Sequence, residues 1–392
     1  MIRRHALQWV GLAGMGGMLL LGACHTNLQR PQGINEISLE RMQGFPQGDT
    51  CFLKGVSALY AGRLGDRLVM AGGCNFPHVP AADKGRKVFY KGIYAAKMTD
   101  SAKLDWQQVG TLPEASAYGL TASVSEGMLC VGGTTEKGGL NKAFRLTLLK
   151  DTADSVENDT AKDVVLLDSL PSLPVTIDNL SGAVLHRTLY TIGGNVDGVP
   201  SAAVYALSLD SLSKGWTRLQ DFPGGARLQT VCAAAADKLY VWGGFAPSVK
   251  GSSPEVFVDG YAYHPETNSW TPVAAPTDEQ GHPVCLGGGV ATTLSTGEIL
   301  CTGGVNKDIF LKALQGVYAG KTYLSHPVAW YRFNPRFLVY QPATDAWRCV
   351  ATEAAGARAG AAIVSYNQTH YLLQGELKPG IRSNEINRFK EK

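Results

Sequence analysis

The six-residue stretch Leu239–Gly244, LYVWGG, recurs along the chain and constrains the fold more than any other feature. Its short apolar run, rich in aromatic and β-branched residues, predicts a buried strand, and its two glycines permit a tight exit from that strand. Related stretches, the last one degraded, end at Gly73, Gly133, Gly194, Gly304 and Gly375. These glycines lie 50 to 71 residues apart, so the chain consists of six copies of one unit.

A period near 50 residues with strand–GG–strand content is typical of kelch blades. We therefore predict that residues 36–392 form a single all-β domain, a six-bladed kelch-type β-propeller. The 46 glycines of the chain suit many strands joined by tight turns. The sixth repeat is one strand short, whereas Ile37–Pro46 is one strand in excess before the first repeat. We expect this N-terminal strand to join the last blade and close the ring, which leaves no open sheet edge.

The first 24 residues differ from the rest of the chain. A basic start, a short apolar run and the ending LGAC predict a lipoprotein signal peptide, because the apolar run is too short to span a membrane. LGAC resembles a bacterial lipobox, in which the cysteine, here Cys24, is lipidated and becomes the first mature residue. Residues 25–35 are predicted to be a polar tether. These features predict an exported protein that meets a membrane only through its lipid anchor, in the periplasm or on the surface of a Gram-negative bacterium.

Charge and cysteine content exclude several classes of function. The net charge is +3, and no Lys/Arg stripe is present, which argues against binding to nucleic acid. Without Cys24, seven cysteines remain; they have no regular spacing and no C-x-x-C pair, which argues against a disulfide framework. We expect no metal site and no cofactor.

Polar residues that follow the GG strands are the candidates for a site. In an antiparallel blade, the loop after the second strand lies on the same face as the loop to the next blade. This face collects Asn75, Asn306 and Glu376 from the first set of loops and Arg227 from the second. Glu376 belongs to QGELKPGIR, which also contains Lys378 and Arg382. One carboxylate among several cations predicts a site for an anionic substrate, because guanidinium groups pair well with carboxylates.

The element QGELKPGIR resembles the GGE-x-KPG-[LI]-R element of the bacterial N-acetylneuraminate epimerases, the sialic acid mutarotases, which are six-bladed kelch-type propellers. FPGGARLQ (Phe222–Gln229), YHPETNSW (Tyr263–Trp270) and GGVNKDIF (Gly303–Phe310) are also similar to that family, and AYGLT (Ala117–Thr121) and GGCNF match more loosely. In the family the FPGG-x-R blade comes early, whereas here it follows the AYGLT blade. The chain therefore resembles a cyclically permuted branch of the family.

The resemblance implies conversion of α-N-acetylneuraminate to its β anomer, in support of sialic acid uptake and use. It assigns proton transfer to Glu376 together with Arg382, and it implies that Arg227 and Arg382 hold the sugar carboxylate. Asn75, Asn306 and Lys378 are further candidates for contacts with this acidic sugar. A single carboxylate can take the proton of the anomeric hydroxyl and return it to the ring oxygen, so the reaction needs no metal.

The chain departs from the family at two places. Ser116 stands where the family has an arginine, and a histidine expected in the fifth blade is replaced within LGGGVA, which contains Gly287–Gly289. A second interpretation stays open at this point, a non-catalytic kelch propeller that binds glycan or protein. Its mark would be that Glu376 is dispensable.

Overall fold

Six four-stranded antiparallel sheets make up the protein in a computed structural model that describes residues 34–47, 49–149, 163–249, 251–318 and 321–391. We call the sheets blades one to six, each with its strands in chain order. The strands of blades one to three are Tyr60–Leu64, Arg67–Ala71, Gly92–Lys97 and Gln107–Thr111; Leu120–Val124, Gly127–Val131, Ala143–Leu149 and Val164–Leu170; and Ser181–Leu185, Thr188–Ile192, Val204–Ser208 and Trp216–Arg218.

Blades four to six repeat this order, except that the sixth takes its outermost strand from the N-terminal part of the chain. Their strands are Val231–Ala235, Lys238–Trp242, Gly260–His264 and Ser269–Val273; Val290–Thr293, Ile299–Thr302, Arg336–Gln341 and Ala346–Thr352; and Ala362–Tyr366, Thr369–Leu373, Ile386–Lys390 and Glu40–Arg41. The fold class predicted from the repeats, an all-β six-bladed propeller, is confirmed.

The second strand of each blade is the GG strand of the sequence, and it is buried because sheets pack against both of its faces. The two glycines that end it have positive φ angles, as in Gly243 (+70°) and Gly244 (+89°), which L side chains rarely adopt. In blade six Gln374 replaces the first glycine and still has φ +53°. Its Oε1 accepts a hydrogen bond from Val56 N of blade one at 2.8 Å, which offsets the cost of this conformation.

The innermost strands lie next to one another in a closed cycle, and a ring of backbone hydrogen bonds joins the loops that precede them. In every blade the N–H of one loop residue donates to the carbonyl of the equivalent residue in the preceding blade, at 2.7–2.9 Å. All six residues have positive φ angles of 52° to 76°. They are Ala58, Tyr118, Asn179, Gln229, Gly288 and Gly360. The ring closes between the last and the first of them, since Ala58 N donates to Gly360 O.

Hydrophobic side chains fill the space between each blade and the next. Six clusters of buried residues correspond to the six interfaces; the one between blades six and one contains Leu68, Met70 and Tyr371, for example. Each buried aliphatic or aromatic side chain contributes about 1.5–3 kcal/mol to folding. The core is therefore a circle of interfaces, and every blade depends on two neighbours.

The N-terminal strand Glu40–Arg41 occupies the position in which we expected it. Glu40 pairs with Arg388, and Met42 N donates to Ile386 O at 2.9 Å. Ile34 and Ile37 are buried in the interface between blades five and six. The Arg388 guanidinium binds Glu40 Oε2 at 2.6 and 3.0 Å and donates to three carbonyls of the loop 99–101 in blade one, at 2.7–3.0 Å. Because the segment that follows this strand enters blade one, the strand connects the last blade to the first.

Two long insertions follow the GG strands of blades one and five. The first contains a short strand pair, Cys74–Asn75 with Val88–Phe89, and the 3-10 helix Ala81–Asp83. The second contains helices α1 (Lys307–Leu314) and α2 (Lys321–Ser325) and the 3-10 helix Val328–Tyr331. Three further 3-10 helices are Phe52–Lys54, Leu212–Lys214 and Ala354–Gly356. Within the described ranges, no helix has the length and apolar character needed to cross a membrane.

Blades two, three, four and six carry small strand pairs directly after their GG strands. The post-GG loops of all blades therefore form one layer on the same face of the ring. These strands are Thr134–Thr135 with Gly138–Gly139, Asn195–Val196 with Ile177–Asp178 and Val199–Pro200, Phe245–Ala246 with Glu255–Val256, and Glu376–Lys378 with Ile381–Arg382.

One buried histidine breaks the apolar pattern of the second strands. His370 is 1 % exposed, and the equivalent residues of the other blades are apolar and completely buried; they are Leu68, Met128, Leu189, Leu239 and Ile299. His370 Nδ1 lies 2.8 Å from Ser365 Oγ, its Nε2 lies 3.0 Å from Glu391 Oε1, and its ring stacks on Phe389. Burial lowers the pKa of His370, and the hydrogen bond with Glu391 opposes this effect only in part.

This lowered pKa predicts that acid destabilises the protein. Below the ordinary histidine pKa of about 6.5 the unfolded chain binds the proton more readily than the folded one, so stability falls as the pH decreases toward the folded-state pKa. In the His370→Leu variant, which matches the other five blades, we expect this part of the pH dependence to disappear. Unfolding temperatures of both proteins at pH 7.5 and 5.0 test the prediction. Equal losses of stability in the two proteins would contradict it.

Candidate functional site

Glu376 and Arg382 face each other across a short hairpin that leaves blade six after its second strand. The hairpin pairs Glu376–Lys378 with Ile381–Arg382, and Glu376 and Arg382 are direct cross-strand partners. The turn between them contains Gly380, whose φ of +87° suits glycine. Side chains of direct partners lie on the same side of a strand pair, so the hairpin brings the carboxylate to the guanidinium.

The two oxygens of the Glu376 carboxylate have different surroundings. Oε1 accepts hydrogen bonds from Arg382 Nη1 and, at 3.0 Å, from Gly380 N. Among the described residues none donates to Oε2. The Glu376 side chain is 24 % exposed, whereas that of Arg382 is 3 % exposed. One oxygen is thus fixed in place, and the other has lone pairs available for a substrate proton.

The charges and the burial around the pair shift the pKa values of Arg382 and of a neighbouring tyrosine. Burial, the largest influence, lowers the pKa of Arg382, but the charge of Glu376 and the interactions with Tyr118 and Cys74 together outweigh it, so this pKa is raised. The pKa of Tyr118, beside them, is raised well above its ordinary value by burial; the charge of Glu376 adds to the rise and that of Arg382 opposes it. Tyr118 therefore carries its proton at neutral pH.

Blade two and the first insertion contribute further side chains beside the pair. Lys87 Nζ donates to Tyr118 Oη at 3.1 Å and lies 5.0 Å from the centre of the Tyr118 ring. The Phe76 ring lies between two cations, 6.0 Å from Lys87 Nζ and 5.6 Å from the Arg382 guanidinium carbon. Residues from blades six, one and two thus meet at one place.

The second insertion packs against the same hairpin. Lys378 Nζ donates to the carbonyls of Leu324 (3.2 Å) and His326 (2.6 Å), which holds α2 and the residues after it against blade six. The pKa of Tyr331 is raised by burial and by the charge of Glu376, so its ring is within electrostatic reach of the carboxylate. Helix α2 also contacts the 3-10 helix Ala81–Asp83 of the first insertion. The two insertions therefore meet beside the Glu376 hairpin.

A cavity of about 530 Å³ lies between the first insertion and the post-GG loop of blade two. This volume is within the usual range for small-molecule sites. Lys87 is in its wall and also contacts Tyr118, so it links the cavity to the Glu376–Arg382 pair. Glu376 itself is not in the wall. The other lining residues are His78, Arg86, Val88, Phe89, Glu114, Ala115, Thr135, Glu136 and Lys137.

The structure contradicts the prediction that Arg227 holds a substrate carboxylate. Arg227 is 1 % exposed, and its guanidinium binds Asp259 Oδ1 at 2.7 Å together with the carbonyls of Gly243 (3.2 Å) and Gly224. The ring centre of Phe257 lies 3.5 Å from its guanidinium carbon. Arg227 thus ties the strands of blade four together and has no exposed donor for a ligand.

Arg358 supports this structural role, because in blade six it also binds the carbonyl at the first GG position and a carboxylate. It donates to the carbonyls of Gln374 and Glu385, both at 3.0 Å, and pairs with the Glu385 carboxylate at 3.1 Å. Ser116 occupies the equivalent position of blade two, where Tyr60 Oη instead donates to Gly132 O at 2.7 Å. The family's arginine is therefore replaced at a position that stabilises a blade.

Asn75 is also a structural residue, contrary to the prediction. It is 2 % exposed, donates to Cys51 O and Gly55 O at 2.9 and 2.8 Å, and accepts a hydrogen bond from Tyr90 Oη at 2.8 Å. These bonds use the whole hydrogen-bonding capacity of its donor nitrogen.

Asn306 and Lys378 also make structural contacts. Asn306 caps α1, since its Oδ1 accepts a hydrogen bond from Ile309 N at 3.1 Å. Lys378 donates to two carbonyls of the second insertion. Asn306 and Lys378 therefore both hold the second insertion in place. Gly287–Gly289 lie at the hydrogen-bonded ring, with Gly288 as a member. Cys24 lies outside the described residues.

Lys87 and Tyr118 are the residues at the site that the sequence did not single out. The sequence contained a signal for Tyr118, because AYGLT leads into an innermost strand, as FPGGARLQ does. Lys87 carried no signal, since nothing in the spacing of an irregular insertion indicates which of its cations turns toward blade two.

Comparison with known proteins extends these observations. A family model described as N-acetylneuraminate epimerase matches residues 170–391, which run from the end of blade two to the end of blade six. The N-acetylneuraminate epimerase of Salmonella typhi is 32 % identical over 229 residues, and that of Escherichia coli O9:H4 (strain HS) is 33 % identical over 230. The alignments cover 56 and 55 % of this chain and 58 and 59 % of the relatives, so this chain spans less than two thirds of the relatives' length.

A solved structure titled "Structure of YjhT" is also similar, with 29 % identity, a TM-score of 0.49, and coverage of 57 % of this chain and 65 % of that one. The segment matched by the family model contains Glu376, Lys378 and Arg382 but neither Lys87 nor Tyr118. The cyclic permutation of the blades stays a prediction. Since the family model matches more than half of the chain, the protein belongs to the N-acetylneuraminate epimerase family.

Proposed function

We propose that this protein is a mutarotase that converts α-N-acetylneuraminate to its β anomer. The observation that carries the proposal is the Glu376 carboxylate, with Oε1 fixed by Arg382 and Gly380 and Oε2 without a donor among the described residues. The relatives named N-acetylneuraminate epimerase support the same substrate class. A positioned carboxylate beside a buried cation is a suitable group for proton transfer at neutral pH.

The reaction requires one proton to move between two oxygens of the sugar. Glu376 Oε2 takes the proton of the anomeric hydroxyl and gives it to the ring oxygen as the bond between the ring oxygen and the anomeric carbon breaks. The hydroxyl oxygen becomes the carbonyl of the open chain. After rotation, the same steps in reverse close the ring on the opposite face of the carbonyl. No atom is gained or lost, and Glu376 regains its starting charge.

Arg382 supports these steps by holding the carboxylate. Its hydrogen bond to Oε1 fixes the carboxylate and so orients Oε2. Tyr118, protonated and half-buried beside the pair, supplies a hydroxyl donor to the substrate. The insertions around the hairpin shield part of this region from water, which strengthens these interactions.

Proton NMR of N-acetylneuraminate freshly released as the α anomer tests the proposal. The full-length protein is expected to accelerate the appearance of the β signals above the uncatalysed rate. Folded protein that leaves the rate unchanged would contradict the mutarotase and leave a propeller that binds glycan or protein. If the activity is present, a role in sialic acid uptake and use follows, because uptake from glycans begins with a released anomer that must equilibrate.

We further propose that the protein is exported and anchored by a lipid on Cys24, with the propeller in the periplasm or at the cell surface. The support is the basic and apolar start of the chain and the LGAC sequence. Fractionation of cells that express the wild type and Cys24→Ala is the test. We expect the wild type in the membrane fraction and the variant in the soluble one. Retention of Cys24→Ala with the membranes would refute the lipid anchor at this residue.

A further inference from the structure

The proposed reaction requires a cation very close to Glu376. In a 2-keto sugar acid such as N-acetylneuraminate, the carboxylate and the anomeric hydroxyl are bonded to the same carbon. A group that holds the carboxylate while Glu376 takes the hydroxyl proton must therefore lie within a few ångströms of the Glu376 side chain. The sequence assigned this task to Arg227 and Arg382, but Arg227 is enclosed in blade four and Arg382 is bound to Glu376 itself.

Two lysines remain near the pair, and their surroundings differ. Lys378 Nζ is bound to two carbonyls beneath the second insertion and does not line the cavity. Lys87 lines the cavity, is half-buried, and makes its hydrogen bond to the neutral hydroxyl of Tyr118. In the part of the chain that the structure describes, no carboxylate forms an ion pair with Lys87. Its charge is therefore free to bind an anion.

Tyr118 can act together with Lys87. Its oxygen accepts the hydrogen bond from Lys87 Nζ, so its own proton is available for donation to another group. Phe76 places Lys87 and Tyr118 next to the Glu376–Arg382 pair, because its ring centre lies 6.0 Å from Lys87 Nζ and 5.6 Å from the Arg382 guanidinium carbon. An ammonium and a hydroxyl donor next to each other can hold both oxygens of a carboxylate.

We propose that Lys87 and the Tyr118 hydroxyl bind the carboxylate of the sugar acid, and that the body of the sugar extends into the cavity between the first insertion and blade two. This inference rests on the proposed mutarotase function and names the subsite that selects an acidic sugar. Glu114 and Glu136 in the cavity wall balance Arg86 and Lys137, and Arg86 forms an ion pair with Glu136, so Lys87 leaves the wall with one net positive charge. The site therefore prefers a monoanion to a neutral sugar.

The test compares Lys87→Met with Lys91→Met in the full-length protein. Methionine keeps the aliphatic stem over Phe76 and Tyr118 and removes only the charge, and Lys91 is an exposed lysine at the end of the same insertion. For N-acetylneuraminate we expect Lys87→Met to raise KM about 10- to 100-fold, the usual loss for a hydrogen bond to a charged group, with little change in kcat. Lys91→Met is expected to retain the wild-type KM. Tyr118→Phe should raise KM less than Lys87→Met.

The methyl ester of N-acetylneuraminate separates loss of charge recognition from general damage to the site. The wild type is expected to bind the ester more weakly than the acid, and Lys87→Met to bind both with nearly equal affinity. Equal KM values of wild type and Lys87→Met for the acid would overturn the proposal, even if the mutarotase activity is present.

Binding measured by saturation-transfer NMR keeps the two proposals distinguishable. If the wild type does not catalyse but binds the acid in a Lys87-dependent manner, the carboxylate subsite stands and the mutarotase fails. If the wild type does not bind the acid at all, both proposals fail. A Lys87→Met variant that does not fold would be replaced by Lys87→Gln, for which the same outcomes apply.

Discussion

Glutamine in place of Glu376 is expected to slow the conversion of α- to β-N-acetylneuraminate about 10²- to 10⁴-fold, the usual contribution of general acid–base catalysis. Glutamine has the shape of glutamate, and its Oε1 can still accept the hydrogen bonds from Arg382 and Gly380. It cannot accept the proton of the anomeric hydroxyl. The expected loss of activity therefore lies in kcat, whereas KM stays close to that of the wild type. Because the amide leaves the buried Arg382 without its counter-charge, we also expect some loss of stability.

Glu385→Gln is the matched control for this variant. Glu385 is also on blade six, is partly exposed, and pairs with a buried arginine, Arg358, at 3.1 Å. It differs from Glu376 in that its arginine ties the strands of the blade together. We expect Glu385→Gln to keep the wild-type kcat while it loses some stability. If Glu376→Gln retained the wild-type rate in the NMR assay, the proton acceptor would be another group.

Loss of the N-terminal strand is expected to have the largest effect on stability. Deletion of residues 36–46 removes the outermost strand of blade six and the buried Ile37 and Met42. It also leaves Arg388, which is 5 % exposed, without its carboxylate partner. Because every blade depends on two neighbours, the defect affects the whole circle of interfaces. We expect the deletion to abolish the cooperative thermal unfolding transition in circular dichroism.

Two point variants test the contribution of the N-terminal strand to stability on a smaller scale. Arg388→Met loses the bonds to Glu40 and to the carbonyls of residues 99–101, and we expect a loss of about 2–4 kcal/mol in the free energy of unfolding. Lys390→Met, on the same strand, loses only an exposed pair with Asp100 and should cost less than about 1 kcal/mol. Similar losses in both variants, or a truncated protein with an unchanged transition, would contradict a closing role for this strand.

The repeats made the fold predictable, because a strand with two glycines at its end has few alternatives. The same regularity placed Glu376 in a post-GG loop on the face of the ring that carries the site, and it assigned Ile37–Pro46 to the last blade. The roles of Arg227 and Asn75 were wrong because a sequence gives the loop on which a side chain lies but not the direction in which it points. A signal for Arg227 was present. Gly-Ala-Arg occurs again at Arg358, at the same distance before the last glycine of its repeat, which is typical of a structural position.

The insertions were the least predictable part of the site. The packing of α2 against the first insertion and the approach of Lys87 to Tyr118 depend on contacts between residues far apart in the chain. Irregular segments have no period from which such contacts can be derived. Lys87 therefore became a candidate only when its distance to Tyr118 was known.

The N-terminal strand in the last sheet also has a consequence for synthesis. Glu376 and Arg382 come from the final blade, whereas Phe76, Lys87 and Tyr118 come from the first two. During synthesis, a growing chain therefore contains the residues from the first two blades long before Glu376 and Arg382. The site forms only after blade six has been made and the strand Glu40–Arg41 has joined it. Any chain that stops early, or is cut within blade six, presents a lysine and a tyrosine without an acid. The proposed activity would therefore require a chain that extends through blade six.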